Sequence, residues 1–228
     1  MAQGEPTQEY AYLLHEEGEG DEARTTLSLV DPERLVRVLG YLANTDEFLS
    51  PYGIRSLSAA YRGGSAMDVA GEHLGIRYTP GWGDTRMFGG NSNWRGPIWF
   101  PLNALLVDAL ATRALGVGGD ATYEYPVGSG KQRTVAEISE DLRQRLIGLF
   151  RPDASGRRPG AQRGEGDGPL WQHPTFSEYF HADAGTGLGA SHQTGWTAMV
   201  AHLICGHLGQ PTLDQPTSDQ HTNDREPS

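Results

Sequence analysis

The sequence predicts an all-α chain on three observations. Apolar residues recur at helical spacing in four stretches, capping residues stand where those stretches begin, and no segment sustains the alternation of a strand. The first helix runs from about Asp31 to Asn44. Asp31 can cap it, Pro32 suits the first helical position, and Leu35, Val38, Leu39 and Leu42 follow the i, i+3, i+4, i+7 rule, so one face is expected in the core. The second begins near Pro101 and stops at Gly116, Gly118 and Gly119. Between them LNALLVDALATRAL is apolar nearly all round, the mark of an interior helix, in which Asp108 would need a partner.

The third helix starts at Thr134, whose hydroxyl forms a T-x-x-E capping box with Glu137, and carries Val135, Ile138, Leu142 and Leu149 on one face. Glu137, Asp141 and Arg145 fall on its solvated side. The fourth covers roughly Gln193 to Leu208, with Trp196, Met199, Val200 and Leu203 at helical spacing. It emerges directly from a glycine-rich stretch.

Residues 29–208 are read as the folded unit, 1–28 as a frayed N-terminal segment and 209–228 as a disordered tail with almost nothing apolar. The connections from Ser50 to Ile98 and from Arg151 to His192 are long and rich in Gly, Pro and aromatics. Loops of this length are usually functional or disordered, and the aromatic content predicts order. The chain has 228 residues, 18 basic against 29 acidic, for a net charge of -11. That balance lacks the positive footprint for a phosphate backbone or an anionic membrane, so neither nucleic acid nor membrane is expected as a partner. Cys205 is the only cysteine, which excludes an internal disulfide. The acidic start has no long apolar run, and a cytoplasmic location is expected.

Two motifs imitate nucleotide sites. In PVGSGKQRT, Tyr125 occupies the first glycine position of a phosphate-binding loop and Gln132 its Ser/Thr position; Gly185, Gly187 and Gly189 follow no hydrophobic strand. No cofactor is expected from either. His202 and His207 lie five apart on a helix, and His173, His181 and His192 sit in loops without ligand spacing, so no metal is expected.

Tryptophan, tyrosine, amides, arginine and carboxylates gathered in glycine-rich loops suit a carbohydrate. Sugar C–H faces pack on aromatic rings, and hydroxyls pair with planar polar groups. Three long motifs carry a resemblance: EFLSPYGIRSLS (Glu47 to Ser58), FGGNSNWRGPIWFPLN (Phe88 to Asn103) and SEYFHADAGTGLGASHQTGW (Ser177 to Trp196). From about Leu29 to Leu208 the chain resembles the C-terminal part of the catalytic domain of glycoside hydrolase family 63. The likeness is nearest to the bacterial and archaeal glucosidase or mannosylglycerate-hydrolase-like branch.

The resemblance implies part of an (α/α)6 barrel and hydrolysis of an α-glucoside or related α-glycoside with inversion. It implies that Glu178 is the general base, and it places Trp94, Arg95, Asn93, Arg55, Tyr179, His192, Gln193 and Trp196 in or beside the sugar pocket. It also implies a general acid on an aspartate preceding this stretch, so the chain is expected to be incomplete and to need the earlier half of the domain as a partner. Asp84, Asp108 and Asp183 are the local candidates for that acid. One departure stands out: in YTPGWGDT, Trp82 and Gly83 replace the polar Glu-Ser-like pair expected there. A non-catalytic carbohydrate-binding module and an inactive remnant remain as rival readings.

Overall fold

The computed structural model describes residues 14–17, 24–27, 30–84, 93–114, 120–161 and 175–205. In chain order the elements are β1 (Leu14–Glu17), β2 (Arg24–Leu27), α1 (Pro32–Leu42), β3 (Leu49–Ser50), β4 (Gly53–Ile54), a 3-10 turn (Ala59–Gly63), β5 (Ser65–Val69) and β6 (Glu72–Ile76). They continue with α2 (Phe100–Ala114), β7 (Thr122–Glu124), β8 (Gln132–Thr134), α3 (Val135–Gly148), β9 (Tyr179–Phe180), β10 (Gly187–Leu188), α4 (Thr194–Thr197) and α5 (Met199–Cys205).

Local capping chemistry sets the helix starts. Asp31 accepts a hydrogen bond from the Arg34 N–H at 2.8 Å with Pro32 behind it. Thr134 and Glu137 close a reciprocal capping box, so two backbone donors that lack helical partners are satisfied at once. The core lies between α1, α2, α3 and α5, around Leu39, Phe100, Val107, Ile138, Leu142, Leu146 and Leu203. The Ser139 hydroxyl donates to the Val107 carbonyl at 2.8 Å where α3 packs on α2. Asn103, buried in α2, donates to the Ile54 carbonyl and accepts from the Ile54 N–H, fastening the β3–β4 turn to the helix.

The expectation of an all-α portion of an (α/α)6 barrel is corrected. Five two-stranded antiparallel ladders stand beside the helices among the described residues, so the architecture is mixed. Four of the five strand pairs have two to four residues per strand, too short for an alternating pattern to register. The fifth, β5–β6, pairs five residues on each side, and every residue from Ser65 to Gly75 is exposed, so no buried face imposes alternation. Its two-residue turn is Ala70–Gly71, both at positive φ, the geometry that matches strand twist in a hairpin. The β1–β2 hairpin lies within 1–28.

Two helices differ from expectation in what they bury. Val38 of α1 is 49% exposed, because the stripe that meets the core runs through Leu35, Leu39 and Leu42. In α2, Leu102 and Leu105 are 50% and 59% exposed although the sequence reads as interior on all sides. Apolarity of a helix face requires a neighbour to become burial, and α3 and α5 cover only one side here. The fourth helix is divided at Ala198, and its continuation beyond Cys205 lies outside the described residues. The stretch that imitates a phosphate loop forms the β7–β8 hairpin, where the Glu124 carboxylate accepts from the Gly130 N–H at 2.8 Å.

Candidate functional site

The glycine-rich segments around residues 81, 96 and 187–189 converge, and at each point the glycine leaves room for a specific neighbour. A Cβ on Gly189, whose φ is +74°, would lie 2.6 Å from the Glu178 carboxylate and 2.8 Å from the Tyr179 ring. Only glycine fits there without moving both groups. The Glu178 N–H donates to the Ala190 carbonyl at 2.8 Å, and the Glu178 carboxylate accepts from the Ala190 N–H at 3.0 Å. The carboxylate is thus held by a loop amide beyond β10, four residues before α4 begins at Thr194.

Around Glu178 stands a cluster of aromatic rings. Trp99 and Tyr179 are buried and stack at 5.0 Å between centroids. Trp94 lies parallel on Trp99 at 3.9 Å, and Trp196 meets Trp99 edge to face at 6.3 Å. Trp82 meets Tyr179 edge to face at 6.2 Å. Trp94, Trp196 and Trp82 are 38%, 39% and 57% exposed, so a buried aromatic centre carries three partly open indoles. Burial, with the Glu178 charge adding to it, pushes the Tyr179 phenol up to about 12 and keeps it protonated across ordinary pH.

Beneath the rings lies a polar scaffold. Asn93 is buried, donates to the Thr79 and Gly81 carbonyls at 2.7 Å each, and accepts from the Arg95 N–H. Arg95 is buried and pairs with Asp84 at 2.8 Å; its Nε has no hydrogen-bond partner. Arg55 is engaged on all three guanidinium nitrogens: Nε donates to the Tyr78 hydroxyl, Nη1 to the Thr45, Glu47 and Leu49 carbonyls, and Nη2 to Asp183. Asp183 also accepts from Tyr78 at 2.9 Å and from Arg62 at 3.0 Å. Arg55 therefore ties the loop at 45–49 to the loop after β9.

Neither of the two paired aspartates suits a proton donor, which requires a raised pKa. Burial alone would raise the Asp183 carboxyl, but hydrogen bonds from Tyr78, Arg55 and Arg62 outweigh it and hold the group below the usual carboxylate range. Hydrogen bonding from Arg77 likewise lowers Asp84, with Arg95 adding to it. Asp108 lies half-buried on α2.

The structure thus brings Trp94, Tyr179, Trp196 and Glu178 together, sets Asn93, Arg95 and Arg55 in the scaffold, and leaves His192 and Gln193 on the exposed turn before α4. His192 takes a positive φ of 62°, and the Gln193 N–H donates to the Phe176 carbonyl. The sequence marked neither His181 nor Trp82 as a site residue. Together with Gly81, Thr186, Gly187 and Leu188 these two line a cleft of about 390 Å3. A signal was present in the glycines flanking Trp82, at 81 and 83, but its partner residues lie about a hundred positions away.

Comparison with known proteins finds two relatives over most of the chain. Over 188 residues, 79% of the chain, it is 48% identical to the uncharacterized protein YMR196W of Saccharomyces cerevisiae. Over 175 residues it is 25% identical to a protein of Schizosaccharomyces pombe named "Probable mannosyl-oligosaccharide glucosidase". The chain spans only 17% and 16% of the lengths of these relatives. No family model matches it. Among the described residues no helix is long and apolar enough to cross a membrane.

Proposed function

We propose that this chain is the part of an inverting α-glycoside hydrolase of the family 63 type that supplies the general base, Glu178, and one wall of the sugar site. The observation that carries the reading is the Glu178 carboxylate, held by the Ala190 N–H against Gly189 at the edge of an aromatic cluster with open indole faces. A base must be aimed at the water, and a backbone N–H bonded to the carboxylate holds it in place. Trp94 and Trp196 offer faces for sugar C–H groups. The likeness to a protein named as a glucosidase supports the same class.

In this reading Glu178 takes a proton from water as it attacks the anomeric carbon, while an acid outside the chain protonates the leaving oxygen. Inverting geometry sets the two carboxyls roughly 6.5–9.5 Å apart so that the water fits between them. The lowered pKa values of Asp84 and Asp183 support an acid supplied from elsewhere. The same feature favours the second reading, that the isolated chain binds carbohydrate and breaks no bond.

The test is a chimera in which residues 29–208 replace the matched segment of the Saccharomyces cerevisiae relative, assayed for release of glucose from α-glucosides. Glu178→Gln should leave KM nearly unchanged and lower kcat by several orders of magnitude, because the isosteric amide cannot accept the water's proton. Near-normal turnover by the Gln variant would remove Glu178 from the role of base. The purified chain alone should bind sugar and show little or no turnover.

A further inference from the structure

We infer that Trp82 is a sugar-stacking, specificity-determining residue of a second subsite, the cleft it forms with Gly81, His181, Thr186 and Leu188, and that this subsite takes an uncharged sugar ring. The inference rests on the proposed carbohydrate reading of the neighbouring Glu178 region. It adds a residue and a ligand preference that the family resemblance does not supply, since Trp82 stands where that resemblance expects a polar pair.

Three observations support it. The first is that Trp82 is exposed and yet held in place. The Thr79 and Gly81 carbonyls before it are gripped by buried Asn93 at 2.7 Å, and the Pro80 carbonyl accepts from the Ala182 N–H at 3.0 Å. The Thr79 N–H donates to the Arg95 carbonyl, and Asp84 just beyond is paired with both Arg77 and Arg95. An aromatic face offered on a loop anchored at both ends binds with less ordering cost than one on a loose loop. The edge-to-face contact with buried Tyr179 fixes the ring while leaving 57% of the residue open.

The second is the lining. About 390 Å3 is at the small end of ligand pockets, which run roughly 300–1,000 Å3, and suits a single ring. Its wall combines an indole and Leu188 with the polar side chains of His181 and Thr186, which is the mixture a pyranose requires: one apolar face and hydroxyls around the rim. Gly81 admits the imidazole, for a Cβ there would lie 2.8 Å from His181 Cδ2.

The third is charge. Among the described residues that line the cleft, none carries a fixed charge. The Nδ1 atom of His181 accepts from the Asp183 and Ala184 N–H groups at 3.1 and 3.2 Å, which fixes the ring in the cleft wall. Asp183 beside it is ion-paired with Arg55 and Arg62. A ligand carboxylate entering this cleft would lose water and meet no cation among the described lining residues, a cost that a neutral ring does not meet. Between the two branches that the motifs resemble, the cleft therefore fits a neutral α-glucoside and disfavours an aglycone bearing a carboxylate.

Saturation-transfer NMR on the purified chain tests this with three probes: methyl α-D-glucopyranoside, maltose and α-mannosylglycerate. The two neutral sugars should bind, and the anionic one should bind at least tenfold more weakly. Trp82→Ala should weaken maltose binding about tenfold, the scale of one aromatic contact, and Trp82→Tyr should restore most of it, with the melting temperature of both variants near that of the parent. No transfer to any neutral sugar, equal or tighter binding of α-mannosylglycerate, or maltose binding that survives Trp82→Ala would each overturn the inference. Binding lost in Trp94→Ala and kept in Trp82→Ala would place the ring on the other platform, with the same result. The two proposals fail separately. Trp82-dependent binding in a chain whose Glu178 proves dispensable in the chimera leaves the subsite standing and removes the hydrolysis; Glu178-dependent hydrolysis with Trp82-independent binding does the reverse.

Discussion

Two regions of this molecule expose large apolar side chains, and they do so in opposite ways. In the β5–β6 hairpin, Met67, Val69 and Leu74 are 66%, 45% and 48% exposed, and the element is maintained by its own ladder and a two-residue turn. In the loop at 78–84, Trp82 is as exposed, yet its backbone is bonded to a buried asparagine, its ring meets a buried tyrosine, and its far end is ion-paired. Exposure is common on protein surfaces and says little alone. An exposed ring above a buried polar scaffold is different, because burying Asn93 and Arg55 is costly unless their polar groups are bonded, and bonding them fixes the loops they touch.

The largest break in this contrast should come from Gly189→Ala. The added Cβ collides with Glu178 and Tyr179 and sits at φ +74°, so overpacking and left-handed strain together should destabilise by about 2–4 kcal/mol in chemical denaturation. A loss below about 1 kcal/mol would mean that the loop relaxes and that Glu178 is not rigidly held. Next comes Asn93→Ala, which strands two buried carbonyls and should cost about 2–3 kcal/mol. Its second readout is more telling: amide exchange across 78–84 should accelerate while exchange in α2 and α3 changes little.

A smaller effect concerns acid. The Asp183 pKa is lowered in the fold, so its ion pairs stabilise above the unfolded value of roughly 3.9, and that contribution disappears as pH falls through the lowered folded value. Thermal melting followed from pH 6 down to about pH 2 should therefore show a decline below roughly pH 4 that is shallower in Asp183→Asn. An identical slope in the variant would show that the Arg55–Asp183–Arg62 link adds nothing to stability. The smallest effect should come from the hairpin: Met67→Ser or Leu74→Thr should shift stability by no more than about 0.5 kcal/mol, the usual range for surface positions. A larger loss would reveal packing on that face.

Sequence alone determined where α1 and α3 start. Asp31 with Pro32, and Thr134 with Glu137, act within one turn of themselves, and the Leu35–Leu39 and Ile138–Leu142 spacings bury what they should. The family resemblance, carried by two separate motifs, placed Glu178, Trp94, Tyr179 and Trp196 in or beside one pocket. Tertiary structure decided the rest. Whether Leu102 and Leu105 are covered depends on which elements pack beside α2, and an apolar pattern cannot state that. The β5–β6 ladder has no buried face to imprint a period of two on its residues. Asn93 anchors carbonyls 12 and 14 positions away, whereas the Arg55–Asp183 link and the cleft between Trp82 and His181 arise where segments about a hundred residues or more apart meet. Long-range contacts of this kind depend on how the whole chain closes, whereas capping and helical periodicity are settled by neighbours in sequence.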